Sequence, residues 1–333
     1  MIVFNGAKFV ETLVPNSEDS HVTADVVVFV ASWESRATNI AKQISFNASK
    51  AILLSFENDE LAEGEIDSFL NLLSENFDEV VHRRIPAVIS RRSWGRELER
   101  LEEDLQLNGA AHSIAFDYTC LPKAISQTLF RAFIRKGSFA RMTWMYSLGK
   151  YDEGLNNLSF SQGARDFFPI RHTPGDGGMS PRRVAVVGLG SDESLIVEFL
   201  ERYNFDRVFV LTAHSENSPG LQKGAERMKN RLIKEGRVFK EDFVECDASS
   251  VIAAIDAMYG IVSSLSPDTG VDIFTAGPKS HAVAACVVVE KFKSVRLMGR
   301  EAEKYARYEV PAEGTVSMVQ VVDYKNPSAR FVL

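Results

Sequence analysis

The chain repeats one pattern of strands and helices at an offset of 156 or 157 residues. The residue pairs that keep this offset are Val30 and Val187, Lys123 and Lys279, and Tyr151 and Tyr308. Such repetition indicates an internal duplication. Because 333 residues suffice for two ordinary domains, we predict two copies of one domain, residues 1–172 and 173–333. Their joint, RHTPGDGGMSPRR (171–183), has the Gly, Pro and polar composition of a linker.

Each copy begins with the same strand, turn and helix pattern. The pattern is DVVVFVASWESRATNIAKQI at 25–44 and RVAVVGLGSDESLIVEFLERY at 183–203, and a second apolar run follows each at 51–58 and 207–217. Short β-branched runs that alternate with helical patterns are typical of βαβ units, whose strands run parallel. We therefore predict an α/β fold made of two tandem Rossmann-like domains with mainly parallel sheets.

The later parts of the two copies also correspond. The first copy has a charged helical pattern at 93–109, and we expect each copy to close with an irregular tail that could hold a hairpin, as in 313–324. Further strands are predicted from the apolar runs at 113–118, 140–147, 271–276 and 294–299.

The corners after the first and fourth predicted strands carry the unusual residues of each copy. In an open parallel sheet, ligands bind beyond the carboxyl ends of the strands, where the strand order reverses. We therefore expect ligand-binding residues at Ser32, Trp33, Glu34, Ser35, Arg36, Asp117, Thr119 and Lys123 in the first copy, and at Gly188, Gly190, Ser191, Thr275, Gly277 and Lys279 in the second.

The GLGS turn at 188–191 suits an anion. A glycine-rich turn before a helix exposes backbone N–H groups at the positive end of the helix dipole. The turn lacks the dinucleotide fingerprint GxGxxG, because Glu193 stands where the third glycine would be. Asp192 and Glu193 would also repel a phosphate. In the alternative interpretation the glycines only make a tight turn between strand and helix.

Lys123 and Lys279 each follow a proline at the start of a predicted helix. A lysine at this place opposes the helix dipole, so its presence in both copies favours an anion-binding role. The alternative is a solvated lysine after a helix-starting proline. Asp117 and Thr119 could contact the ligand or cap the helix.

Two histidines and two tryptophan-containing segments each have more than one possible role. His281, in the helix after the fourth strand of the second copy, and His214, after the second strand, could each be an acid or base or an ordinary histidine. Trp33 could stack on a base or seal a contact between domains. The alternating charges of RRSWGRELER (91–100) favour a solvated helix face over base stacking. The candidates for catalysis are Lys123, Lys279 and His281.

The corner DYTCLPK (117–123) has the form Asp-x-Thr-x-x-x-Lys. It resembles the loop after the fourth strand in CRISPR-associated Rossmann-fold ligand-sensor domains, and TAGPKS (275–280) is similar to the shorter Gly-Thr-Lys form of that loop. The resemblance implies paired α/β sheets that bind cyclic oligoadenylates, slow ligand cleavage in some members, and a role in antiviral defence. The hydroxyl and basic positions of the family would be Thr119, Lys123, Thr275 and Lys279.

Composition narrows the class of protein. The formal net charge of −7 argues against broad DNA binding, which needs an excess of Lys and Arg. The apolar runs are too short to cross a bilayer, and no secretory signal precedes them. We therefore expect a cytoplasmic protein with no membrane partner. The three cysteines, Cys120, Cys246 and Cys286, lack CxxC spacing and are expected to be reduced thiols. Common metal, P-loop and hydrolase motifs are missing, so we expect no metal and no cofactor.

Three functions are consistent with these features. The first is a sensor that binds a nucleotide or phosphorylated ligand in a cleft between the copies, with Lys123 and Lys279 on opposite sides; it would act through a protein partner or degrade the ligand slowly itself. The second is an enzyme on a small nucleoside-like or phosphorylated metabolite, with His214, His281 or Asp117 as acid or base. The third is a non-catalytic scaffold or partner subunit.

Overall fold

The structure is a computed structural model that describes the whole chain except residues 1, 5–6, 17–19, 58–62, 87–111, 137–138, 152–160, 171–179, 191–192, 216–217, 306–308 and 323–333. The chain divides into two units. The first comprises residues 1–125, 132–150 and 308–333, and the second comprises residues 126–131 and 151–307. These units are composed differently from the two predicted copies, and the copy boundary at 172 stays a prediction.

The first unit contains ten strands in its described residues. They are β1 (Ile2–Phe4), β2 (Ala7–Pro15), β3 (Ser20–Thr23), β4 (Val26–Val30), β5 (Ile44–Asn47), β6 (Lys50–Phe56), β7 (Glu79–Ile85), β8 (His112–Asp117), β9 (Phe139–Gly149) and β16 (Ala312–Val322). A 3-10 turn at Ser35–Thr38 leads into helix α1 (Asn39–Gln43), and α2 (Glu63–Ser74) lies between β6 and β7. Strands β3 and β5 form a separate parallel pair.

The main sheet of the first unit has eight strands in the order β1-β2-β16-β9-β8-β4-β6-β7. The five strands from β9 to β7 run parallel. Numbered along the chain, these five have the order 3-2-1-4-5, so the order reverses between β4 and β8. Strand β4 is VVVFV and fully buried, as expected for a parallel strand covered on both faces. The C-terminal strand β16 pairs antiparallel with β9 and β2.

The second unit contains the other six strands of the described chain. They are β10 (Ser161–Pro169), β11 (Arg182–Leu189), β12 (Arg207–His214), β13 (Phe243–Asp247), β14 (Thr269–Thr275) and β15 (Val295–Tyr305). Its helices are α4 (Glu193–Arg202), α5 (Pro219–Lys234), α6 (Val251–Ser263) and α7 (Lys279–Val289). Residues 126–131, the middle of α3 (Lys123–Lys136), also belong to this unit.

The sheet of the second unit has the order β10-β15-β14-β11-β12-β13. Its five parallel strands again show the order 3-2-1-4-5, with the reversal between β11 and β14. Strand β10 is antiparallel to β15. The predicted α/β fold with two mainly parallel sheets is therefore confirmed, and both sheets share one strand order, as a duplicated domain would.

Some elements differ from the sequence prediction. The third strand of each parallel sheet, β7 and β13, and the N-terminal strands β1 to β3 were not predicted. The prediction that residues 313–324 could hold a hairpin is wrong, since β16 is one long strand that pairs with β2 and β9. The charged helical pattern at 93–109 and the segment 91–100 lie outside the described residues.

Aromatic and aliphatic side chains hold the core of the second unit. Phe199 of α4 stacks on Phe274 of β14, with ring centroids 4.5 Å apart. Helix α7 is buried from Ser280 to Val289, because its sequence is apolar nearly all round. Within the described chain, every helix is too short or too polar to cross a membrane.

Candidate ligand-binding site

Two glycine-containing corners meet at the strand-order reversal of the second unit. Strands β11 and β14 are neighbours, and Gly188 lies opposite Thr275. A β-carbon built on Gly190 would lie 2.9 Å from both the Ala276 carbonyl oxygen and the Gly277 Cα. One built on Gly277 would lie 2.7 Å from the Leu189 carbonyl oxygen. Real β-carbons do not come so close, so only glycine permits this contact between the two backbones.

His281 lies directly beneath this pair of corners. Its side chain is fully buried. A β-carbon on Gly188 would stand 2.9 Å from the His281 Nδ1, and one on Gly277 would stand 3.0 Å from the same atom. The first turn of α7 positions the ring, since the His281 N–H donates to the Pro278 carbonyl at 3.2 Å. The glycines therefore also make room for an imidazole that packs against the corner backbone.

Lys279 is the first residue of α7 and is half-buried. Pro278 occupies the N-cap position, and the first turn contains no acidic residue. The helix dipole and the lysine charge both make the electrostatic potential positive at this end. Such a helix start accepts an anion more readily than one with acidic residues in its first turn.

Thr275 and Ser280 direct their hydroxyl groups to neighbouring protein groups. The Thr275 Oγ1 accepts a hydrogen bond from Gln127 Nε2 at 3.1 Å. The Ser280 hydroxyl donates to the Ala248 carbonyl at 2.6 Å. Both side chains are buried and fix the path of the corner. Gln127 was missed by the sequence analysis, because its contact with Thr275 joins residues 148 positions apart.

Exposed polar side chains stand at the ends of the two neighbouring strands. His214 at the end of β12 is opposite Asp247 at the end of β13. Asp247 Oδ1 accepts hydrogen bonds from the Ser249 N–H at 2.8 Å and from the Ser249 hydroxyl at 2.7 Å. His214 was named from the sequence, but Asp247 and Ser249 were missed. The segment ECDASS carried their signal: an acid and serines after a short run that was not recognised as a strand.

Hydrogen bonds hold the fourth-strand corner of the first unit, both within the corner and to β9. Asp117 Oδ1 accepts the Thr119 N–H at 2.8 Å, and the Thr119 Oγ1 accepts the Ser147 N–H at 2.9 Å. Asp117 and Thr119 are almost completely buried. Lys123 begins α3 and is half-buried, which places it where Lys279 lies in the second unit.

The turn after β4 has buried charges of its own. The Arg36 guanidinium forms an ion pair with Glu34 and donates to the Ser147 carbonyl at 3.2 Å. Ser35 donates its N–H to Glu309 Oε1 at 3.0 Å. Both corners of the first unit thus converge on Ser147, through Thr119 and through Arg36.

The remaining predicted residues of this turn are placed as follows. Ser32 is buried, and its hydroxyl accepts the Glu34 N–H at 3.4 Å. Trp33 is partly buried, and no described residue accepts a hydrogen bond from its Nε1. Ser191 and Asp192 lie outside the described residues. The described side chains contain no group of three or more His, Cys, Asp or Glu that could hold a metal ion.

The repeated strand order and the glycine corners define a Rossmann-like α/β protein whose candidate site lies at the strand-order reversal. No family model matches the chain, and no curated protein matches it. A solved structure of a candidate universal stress protein from Pseudomonas aeruginosa UCBPP-PA14 covers 82% of this chain and 92% of its own, at 13% identity and a TM-score of 0.23. A functionally unknown protein from Pseudomonas aeruginosa PAO1 has the same coverage and TM-score, at 14% identity. Similarity at this level carries no argument about ligand or activity.

Proposed function

We propose that the glycine corner of the second unit binds the phosphate of a nucleotide-type ligand. The observation that carries the proposal is the backbone contact between Gly190 and Gly277 at the strand-order reversal. The two glycines present backbone without side chains close to the start of α7, where Lys279 adds a positive charge. Ligands of doubly wound sheets bind at such reversals, and phosphates bind at such helix starts.

A sensor suits the corner better than an enzyme that uses His281 or Asp117. His281 is fully buried beneath the glycines, and the buried Asp117 carboxylate accepts a hydrogen bond from the Thr119 N–H within its own loop. A general acid or base must come within hydrogen-bond reach of the ligand. Neither side chain lies on an open surface, whereas binding alone needs only the backbone and Lys279.

The ligand class that we propose includes cyclic oligonucleotides. The first unit has the same strand order and carries Lys123 at the start of the corresponding helix. A lysine at the corresponding helix start of each unit suits a ligand class with repeated phosphates. This reading agrees with the resemblance of both corners to the ligand loop of CRISPR-associated sensor domains.

The second candidate is an enzyme on a nucleoside-like metabolite. The observation that favours it is His214 opposite the Asp247 carboxylate, both exposed at the carboxyl edge of the sheet. Such a pair can exchange a proton with a bound ligand. Slow conversion of a ligand that is lost in His214→Gln would favour this candidate over the sensor.

The test is thermal unfolding with a panel of nucleotides, cyclic oligonucleotides and sugar phosphates. A ligand at a hundred times its Kd stabilises the fold by about 2.7 kcal/mol, which raises the Tm visibly. We expect Lys279→Ala to lose this stabilisation and Lys291→Ala, an exposed lysine just beyond the other end of α7, to keep it. Stabilisation that persists in Lys279→Ala would overturn the assigned corner. No stabilisation by any compound would favour the scaffold function.

A further inference from the structure

Residues 219–240, which form α5 and the turn after it, are strongly basic. They contain seven Lys or Arg and two Glu, a net charge of +5 in a chain whose net charge is −7. The proposed ligand corner lies at β11 and β14, whereas α5 follows β12, so this basic segment is a separate feature of the second unit.

One face of α5 is apolar and the opposite face presents cations. Its buried residues include Leu221, Met228 and Leu232, which pack against the sheet. Exposed cations follow at helical spacing on the other side. We name Lys223, Arg227 and Lys234 the basic stripe. At 1.5 Å per residue, the stripe extends for about 16 Å along the helix.

Glu226, between Lys223 and Arg227, accepts a hydrogen bond from Gln222 at 3.4 Å, and two other acidic residues pair with cations of the segment. Glu235 accepts from Arg231 at 2.7 Å and from Arg237 at 2.8 Å, and these hydrogen bonds lower the pKa of its carboxyl group. Lys229 lies 3.7 Å from Glu245. The segment keeps its net charge of +5, and Lys223, Arg227 and Lys234 are three of its exposed cations.

An exposed aromatic ring follows the helix. Gly236, at φ +67°, ends α5, with its N–H bonded to the Ile233 carbonyl at 3.0 Å. The chain then buries Val238 and leaves 66% of Phe239 exposed, followed by the exposed Lys240. A large apolar side chain with this exposure is unusual beside five surplus charges. It offers a flat surface on which an unpaired base can stack.

We propose that the stripe and Phe239 form a binding surface for single-stranded nucleic acid. Cations spaced along a helix attract a phosphate backbone, and the ring supplies the stacking contact that paired bases cannot reach. An acidic polypeptide would satisfy the charges without using the phenyl ring. The net charge of the whole chain opposes general adsorption of nucleic acid, so binding is expected to depend on this face.

The experiment is fluorescence anisotropy of the full chain with a labelled oligo(dT) and its duplex with oligo(dA), from 25 to about 200 mM salt. The charge-reversal variant is Lys223→Glu/Arg227→Glu/Lys234→Glu. The matched control, Lys42→Glu/Lys291→Glu/Lys293→Glu, makes the same charge change at exposed lysines outside the segment. Circular dichroism and Tm show that each variant is folded.

We expect the single strand to bind the wild type and the control variant, and the stripe variant to bind at least tenfold more weakly. Neutral Ala variants at the three stripe positions should flatten the plot of log K against log salt by about 2, since each phosphate contact contributes about 0.7 for a single strand. Phe239→Ala should weaken single-strand binding about tenfold and leave duplex binding unchanged.

Three results would overturn the proposal. The first is no binding of the single strand at the lowest salt. The second is an equal loss in the stripe variant and the control, which would indicate a general charge effect. The third is equal competition by polyglutamate together with no effect of Phe239→Ala, which would indicate an acidic protein partner. None of these readouts depends on the ligand corner, so failure here leaves the proposed function untouched.

Discussion

Gly190 and Gly277 hold the corners of adjacent strands at backbone contact, since a β-carbon on Gly190 would lie 2.9 Å from the Gly277 Cα. We expect Gly190→Ala to destabilise the fold by about 1–3 kcal/mol, because backbone must move to accept the methyl group. Urea unfolding measures the change. The control is Gly260→Ala in α6, where the added methyl meets nothing within 4 Å and should stabilise the helix by about 0.5–1 kcal/mol. Equal effects at the two sites would contradict the close contact.

Asp272, in the middle of β14, carries a buried ion-pair network. Its carboxylate is 2% exposed, accepts two hydrogen bonds of 2.7 Å from Arg296, and also pairs with Arg183. Removing one partner leaves buried charge uncompensated, so we expect Asp272→Asn to cost about 3–5 kcal/mol. Asp166→Asn, which breaks an exposed 3.8 Å pair with Arg202, should cost less than about 1 kcal/mol by the same measurement. A small effect at Asp272 would show that the network contributes little.

His82 makes stability depend on pH. Its Nε2 shares a hydrogen bond of 2.8 Å with the Ser55 hydroxyl, and burial, followed by the nearby Arg84, lowers the pKa of its ring. The unfolded chain therefore binds a proton at higher pH than the folded chain. The stability that the neutral His82 ring contributes is fully present above about pH 6.5, and it is lost as the pH falls through the lower pKa of the folded state.

We expect the urea midpoint to fall between pH 7.5 and pH 5, and His82→Gln to reduce that fall. His21→Gln, on an exposed position of β3, measures the effect of removing a histidine elsewhere. An unchanged pH dependence in His82→Gln would show that other groups cause it.

The cysteines should be inert in the folded protein. Cys120, Cys246 and Cys286 are buried, and burial raises the pKa of the Cys286 thiol well above its usual range. Because the thiolate is the reactive form, we expect no rapid reaction with a thiol reagent under native conditions and three equivalents in guanidinium chloride. Rapid labelling of the native protein would place at least one thiol at the surface, and mass spectrometry would identify it.

The repeated pattern of apolar runs predicted most of the parallel strands. Val26–Val30 is buried on both faces, so its sequence is a continuous apolar run that stands out without any knowledge of the fold. Thr269–Thr275 is also buried throughout, although Asp272 interrupts its apolar residues. The edge strands β7 and β13 were missed because they are only partly buried and carry charges. The corner residues were found because glycine, proline and lysine after an apolar run are recognisable locally.

The pairings and environments of these residues required the folded chain. Strand β16 lies between β2 and β9, a partnership between distant segments that no local pattern specifies. Arg36 has the same residue type whether it faces a ligand or pairs with Glu34, and only the structure shows the pairing. The sequence alone determined the α/β class, the repeat and the corners, since periodicity and turn chemistry act over a few residues. The tertiary structure decided which strands pair, which glycines touch and which charges are buried, because those depend on contacts between residues far apart in the chain.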